Sequence, residues 1–179
     1  MSRETPARAR ILAKAGQLFY AEGYRAVGID RVIAEAGVAK ATFYHHFPSK
    51  DALILAWIEA AEAALAARLP PETAPKPFSG YLDAVLAIAK APECLGCTWQ
   101  GAAAEFALPG HPVGEAAAAV KRRTLAALER RARAQGIAAP KAAAERAFLL
   151  IEGIWASVRV LRKAAPLAQA REAFRRLSG

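Results

Sequence analysis

"IDRVIAEAGVAKATFYHHFPSK", residues 29–50, decides the fold of this chain. Ile29, Val32 and Ile33 fall on one face of a two-turn helix over 29–36. Gly37 stops that helix, because a chain leaving a helix sharply needs a residue that tolerates positive φ. A second short helix follows over 40–46, and Pro48 ends it. Val32, Ala36, Val38 and Phe43 are spaced to bury the corner between the two, so the pair reads as a helix-turn-helix, with Phe47 in the same core. The second helix then turns Lys40, Ala41, Thr42, Tyr44, His45 and His46 outward. Lys40 and Thr42 can bond bases or phosphates, and Tyr44, His46 and Lys50 suit phosphates. Ala39 and Ala41 are small enough for a backbone to approach a duplex closely. A lysine at a helix start can also be simply solvated, the lesser reading for Lys50. Two adjacent histidines could hint at a metal site. Neighbours on a helix point about 100° apart, however, and His111 is distant in sequence, so neither a metal nor a cofactor is expected.

Working outward, Ile11, Leu12, Ala15, Leu18 and Phe19 give one apolar face to a helix over 5–22, with Thr5 as N-cap, Pro6 in the first turn and Gly23 as the stop. Ser49 caps a long fourth helix to about Arg68, with Asp51 favourable in its first turn. "LPPETAPKP", residues 69–77, cannot be helix interior, having four prolines in nine residues. Beyond it the periodicity predicts helices near 78–91, 97–107, 113–135, 141–164 and 167–177, punctuated by prolines. Strand patterning is missing throughout. The expected fold class is all-α with about nine helices.

The 179 residues suit one large or two small domains. The net charge of +9 favours an anionic partner, nucleic acid before a membrane surface. Residues 1–50 carry eight Lys/Arg against four Asp/Glu and the rest seventeen against twelve, so the excess is denser at the N-terminus without being confined to it. No apolar run reaches the ~18 residues of a membrane span, and no cleavable apolar core follows the basic N-terminus, so a cytoplasmic protein is expected.

Residues 8–54, about a quarter of the chain, resemble the DNA-binding domain of the tetracycline-repressor (TetR) family. The markers are Leu18-Phe19, Gly23-Tyr24, Ala36-Gly37-Val38, Thr42, Tyr44, Phe47 and Ser49-Lys50. The resemblance implies a homodimeric transcription factor, usually a repressor, acting on a palindromic operator in double-stranded DNA. It also implies a helix-turn-helix domain over 1–48 and a helical domain over 49–179 that dimerises and binds a small-molecule effector. It puts Thr42, Tyr44, His46 and Lys50 on phosphates, and Lys40, Ala41 and His45 on bases. Two positions depart from the pattern. Gly28 stands where Ser or Thr commonly caps the second helix and bonds a phosphate, so Gly28 keeps a cap and loses a hydroxyl. Ile33 stands where alanine is common, which demands roomier packing against the first helix. No catalytic residue is expected, and the chain does not read as an enzyme.

The helix over 141–164 is apolar over most of its surface, which requires burial on two sides. One side can be its own domain. The other needs a partner, and the last two helices are where TetR relatives dimerise. Leu150, Ile154, Val158, Leu161, Phe174 and Leu177 are the expected interface residues, with Gly153 allowing close approach. Polar or aromatic residues inside apolar helices nominate an effector pocket: Trp57, Trp99, Gln100, Glu105, Phe106, Glu152 and Trp155. Aromatics at such spacing are also ordinary core. "LGCTWQGAAAEFALPGHPVG", residues 95–114, resembles a segment of one TetR subgroup and names no effector. The arginine-rich stretch 121–133 reads as a solvated face backed by Leu125 and Leu128 rather than a second DNA surface. Cys94 and Cys97 read as structural thiols, as a redox pair or as half a zinc site with no second half.

Overall fold

A computed structural model describes residues 6–178, with side chains through 176. Thr5 and the Leu177 side chain lie outside the described residues. Among the described residues the chain forms nine α-helices and no strand. In order they are α1 (Pro6–Glu22), α2 (Ile29–Ala36), α3 (Lys40–His46), α4 (Lys50–Ala66), α5 (Pro77–Ala89), α6 (Thr98–Glu105), α7 (Pro112–Ala134), α8 (Pro140–Leu161) and α9 (Ala170–Ser178). Most ends fall within a residue or two of the expected ones, because local signals set them. Ser49 Oγ accepts the Ala52 N–H at 3.0 Å and so caps α4. The exception is the end of α8. The apolar pattern continues past Leu161, yet Arg162 takes φ +53° and the chain passes through two 3-10 turns before α9 begins at Ala170.

Two compact units divide the chain. One is built from the residues up to Ala63 together with Thr98–Ala119, the other from Ala64–Cys97 together with the chain from Val120. Most of α4 and all of α6 pack in the same unit as the N-terminal helices. In the first unit α1 packs on α2 and α3 around Ile11, Phe19, Phe43 and Phe47, and α4 adds Leu53 and Ile54, all at most 2% exposed. α1 lies so near α4 that a Cβ on Gly16 would stand 2.3 Å from the Trp57 ring.

In the second unit α5, α8 and α9 pack together, with the Phe78 and Phe174 rings 5.0 Å apart. Arg131 corrects the expectation of a uniformly solvated 121–133 face. It is 7% exposed and donates through Nη1 to the Pro70 carbonyl at 2.7 Å, with its guanidinium over the Tyr81 ring. Its neighbours Arg122, Arg123, Arg130 and Arg133 are exposed. Gln135 Oε1 accepts the N–H groups of Phe78 and Ser79 at 2.9 and 3.1 Å. It satisfies the start of α5, where Lys76 makes no side-chain cap. The proline-rich stretch is thus tied down by Arg131 of α7, and the start of α5 by Gln135 just beyond the end of α7.

Candidate nucleic-acid interface

The turn between α2 and α3 is built by Gly37 at φ +61°, ψ +47°. Its N–H donates to the Ala34 carbonyl and the Val38 N–H to the Ile33 carbonyl, the paired bonds of a Schellman ending. Val32, Ala36 and Phe43 are buried at the corner, while Val38 and Ile33 are half-buried. α3 then exposes Lys40, Ala41, Tyr44 and His45, with Ala39 exposed just before it, and half-buries Thr42 and His46. Lys40 Nζ stands 3.4 Å from Asp30 in a pair open to solvent on both sides. Tyr44 is 42% exposed, with its ring edge-on to Phe43. The His45 and His46 rings lie 5.0 Å apart and steeply inclined to each other. Among the described residues no cluster of three His, Cys, Asp or Glu is placed to hold a metal ion. Gly28 is exposed and extended at the start of α2 and makes no side-chain cap. Lys50 Nζ donates to the Arg25 carbonyl at 3.1 Å, and burial pushes this ammonium below the usual lysine range.

Sequence reasoning missed what holds the 23–25 turn ahead of α2. Glu105, the last residue of α6, accepts the Tyr24 N–H at 3.0 Å and the Arg25 N–H at 2.7 Å on its two carboxylate oxygens. Arg25 Nε donates to the Glu105 carbonyl at 2.7 Å, and its guanidinium covers the Phe106 ring. Tyr24 Oη donates to the Thr98 carbonyl at 3.1 Å. Glu105 and Phe106, expected in an effector pocket, make these contacts with the turn. A charged acceptor for two backbone N–H groups is among the stronger hydrogen-bonding arrangements a protein makes.

A TetR-family transcriptional regulator from Streptomyces coelicolor superposes with a TM-score of 0.83 and 30% identity, over 97% of this chain and 96% of that one. The chain belongs to the TetR family. The sequence profile of bacterial regulatory proteins of the tetR family matches residues 11–57. Curated relatives of this TetR-family chain include the transcriptional activator FasR of Mycolicibacterium smegmatis, 40% identical over 52 residues, which are 29% of this chain and 24% of FasR. Another is the transcriptional repressor NemR of Escherichia coli, 34% identical over 84 residues, which are 47% of this chain and 42% of NemR. The chain therefore spans less than half the length of the curated relatives it matches. The family is one of bacterial regulatory proteins. None of the helices described is long and apolar enough to cross a membrane.

The remaining effector candidates of this TetR-family protein divide between the two units. Trp57 packs on Gly16, and Trp99 and Gln100 are buried and half-buried in the first unit. Glu152 and Trp155 belong to the second, where Glu152 pairs with Lys121 Nζ at 2.6 Å. Among the interface candidates, Leu150 and Ile154 line a groove of about 320 Å³ between α8 and α9, together with Leu149, Gly153 and Leu167. Leu161 is exposed. Ile154, Val158 and Phe174 are 4%, 2% and 4% exposed within the single chain, Phe174 against Phe78.

Proposed function

We propose that the chain is an effector-responsive repressor that binds a palindromic operator in double-stranded DNA as a homodimer. The observation that supports this most is α3, anchored by Phe43 at 0% exposure while Lys40, Ala41, Tyr44 and His45 stand outward. Lys40, Ala41 and His45 face base edges in the major groove. Thr42, Tyr44, His46 and Lys50 contact phosphates, and Ala39 and Gly28 let the backbone come close. The Arg25 carbonyl takes one of the three Lys50 ammonium hydrogens, which leaves two for a phosphate. The net charge of +9 suits a polyanion.

A second copy covers the α8–α9 groove, with its lining residue Leu149 70% exposed, and the nearby Leu161, 48% exposed. In such a dimer two recognition helices enter successive major grooves about 34–36 Å apart. The effector is a small molecule held by the helical part of the chain. It shifts the operator equilibrium only by binding the DNA-incompetent state better. Both signs of regulation occur among the relatives; repression follows the longer match, to NemR. The site of action is the cytoplasm, where operator DNA lies. Titration against a palindrome from the gene's own upstream region, at several salt concentrations, tests the reading. Tighter binding than to scrambled DNA is expected, and equal affinity for both would overturn it.

A further inference from the structure

Cys94-Leu95-Gly96-Cys97 lies in the second unit, directly on α8. Gly96 has φ +99°, and a Cβ there would stand 2.9 Å from Arg159 Cβ and 3.0 Å from the Trp155 carbonyl oxygen, so only glycine lets this backbone lie so close. The two thiols, neither of them in a disulfide, have different surroundings. Cys97 is 3% exposed, and its Sγ accepts a hydrogen bond from Lys121 Nζ at 3.1 Å. The same ammonium is fixed by Glu152 at 2.6 Å. Cys94 stands in the wall of a cleft of about 450 Å³ between the end of α5 and the end of α8. Lys90, Arg162 and Lys163 line that cleft, and no carboxylate among the described residues does.

We propose that Cys94 and Cys97 are a dithiol oxidised by hydrogen peroxide to an intramolecular disulfide. Cys94 meets the oxidant, Cys97 resolves, and Lys121 is the positioning cation. Cys94 lines the cleft, so a small oxidant reaches its sulfur there, and the thiolate is the form that reacts. Its sulfur attacks one peroxide oxygen: the S–O bond forms, the O–O bond breaks, and the departing hydroxide takes the Cys94 proton to become water. Cys97 then attacks the sulfenic sulfur. The S–S bond forms, the S–O bond breaks, and the hydroxide leaves as a second water with the Cys97 proton. Two electrons pass from the thiol pair to the peroxide, and the dithiol plus one peroxide gives a disulfide plus two waters. The Lys121 ammonium acts in the second step, holding the attacking Cys97 sulfur in place through its hydrogen bond to Sγ.

The test uses the whole protein without DNA, so its failure is distinguishable from failure of the regulator reading. Peroxide-treated wild type is expected to lose both titratable thiols and the mass of two hydrogens, whereas Cys94→Ser keeps its single thiol and its mass. Lys121→Met, checked for folding by thermal melting, is expected to form the disulfide on the order of tenfold more slowly. Its Cys94 sulfenic acid then persists long enough for capture by dimedone, while Lys121→Arg restores the rate. The wild-type mass measurement stands whether or not Lys121→Met folds. Native wild type that keeps both thiols through peroxide and reveals them on unfolding would overturn the dithiol. Wild-type kinetics in folded Lys121→Met would overturn the role of the lysine.

Discussion

Single side chains carry the sharpest tests. Gly28 has φ −80° and ψ 152°, ordinary extended backbone, and a Cβ there meets nothing within 4 Å. Serine fits without strain, and its hydroxyl can accept an N–H of the first turn of α2 while donating to a phosphate. Gly28→Ser should add a few tenths of a kcal/mol of stability, read as the urea midpoint. It should also tighten operator binding by about 1 kcal/mol, close to fivefold. Unchanged affinity in a stabilised variant would remove position 28 from the DNA face. Glu105 is the opposite case, a side chain already fully engaged. Glu105→Ala leaves the N–H groups of Tyr24 and Arg25 without their acceptor and should cost about 2 kcal/mol in urea unfolding. Glu105→Gln keeps one acceptor oxygen and should cost about half as much. If both variants melt like wild type, water replaces the carboxylate and the turn does not depend on it.

At the scale of helices, the α2–α3 turn depends on one backbone conformation. Gly37 sits in the left-handed region with open space around its missing side chain, so the penalty there is purely conformational. Gly37→Ala should destabilise by about 1 kcal/mol and Gly37→Val by more, because a β-branched residue resists positive φ most strongly. A Gly37→Val protein as stable as wild type would mean that the turn rearranges. The same locality explains what was legible in the sequence. Gly23, Gly37, Pro48 and Ser49 act on neighbours a few residues away, so the helices of the DNA-binding head could be read with their ends. The end of α8 could not, because Val160 and Leu161 continue the apolar pattern and nothing in the text announces positive φ at Arg162. Contacts between distant segments were equally hidden. Glu105 meets Arg25 across 80 residues, and Arg131 meets Pro70 across 61. A glutamate or arginine in an amphipathic helix looks the same whether it faces water or clamps a loop. Burial of Val158 and Phe174 within the chain likewise depends on which helix faces which, and helical periodicity alone does not determine that.

For the whole molecule the decisive quantity is the apolar surface that one chain leaves uncovered. Leu149 is 70% exposed and lines the α8–α9 groove, and Leu161 and Val160 extend the exposed apolar surface of α8 to 48% and 77% exposure. A large leucine on a helix gains roughly 1.5–3 kcal/mol when fully buried, and in a two-fold dimer each such residue counts twice. A carboxylate in its place would instead face its own copy across the axis in a dry interface. Leu149→Glu should therefore shift the protein from dimer to monomer in sedimentation at micromolar concentration while leaving the helical circular dichroism unchanged, because Leu149 contributes little to the core of one chain. Operator affinity should fall with it. A monomer places one recognition helix instead of two and roughly halves the number of phosphates contacted. The slope of log affinity against log salt, about 0.9 per phosphate, should then drop to near half. A variant that stays dimeric, or a monomer that binds the full palindrome with the wild-type salt slope, would show that the two chains meet through another face.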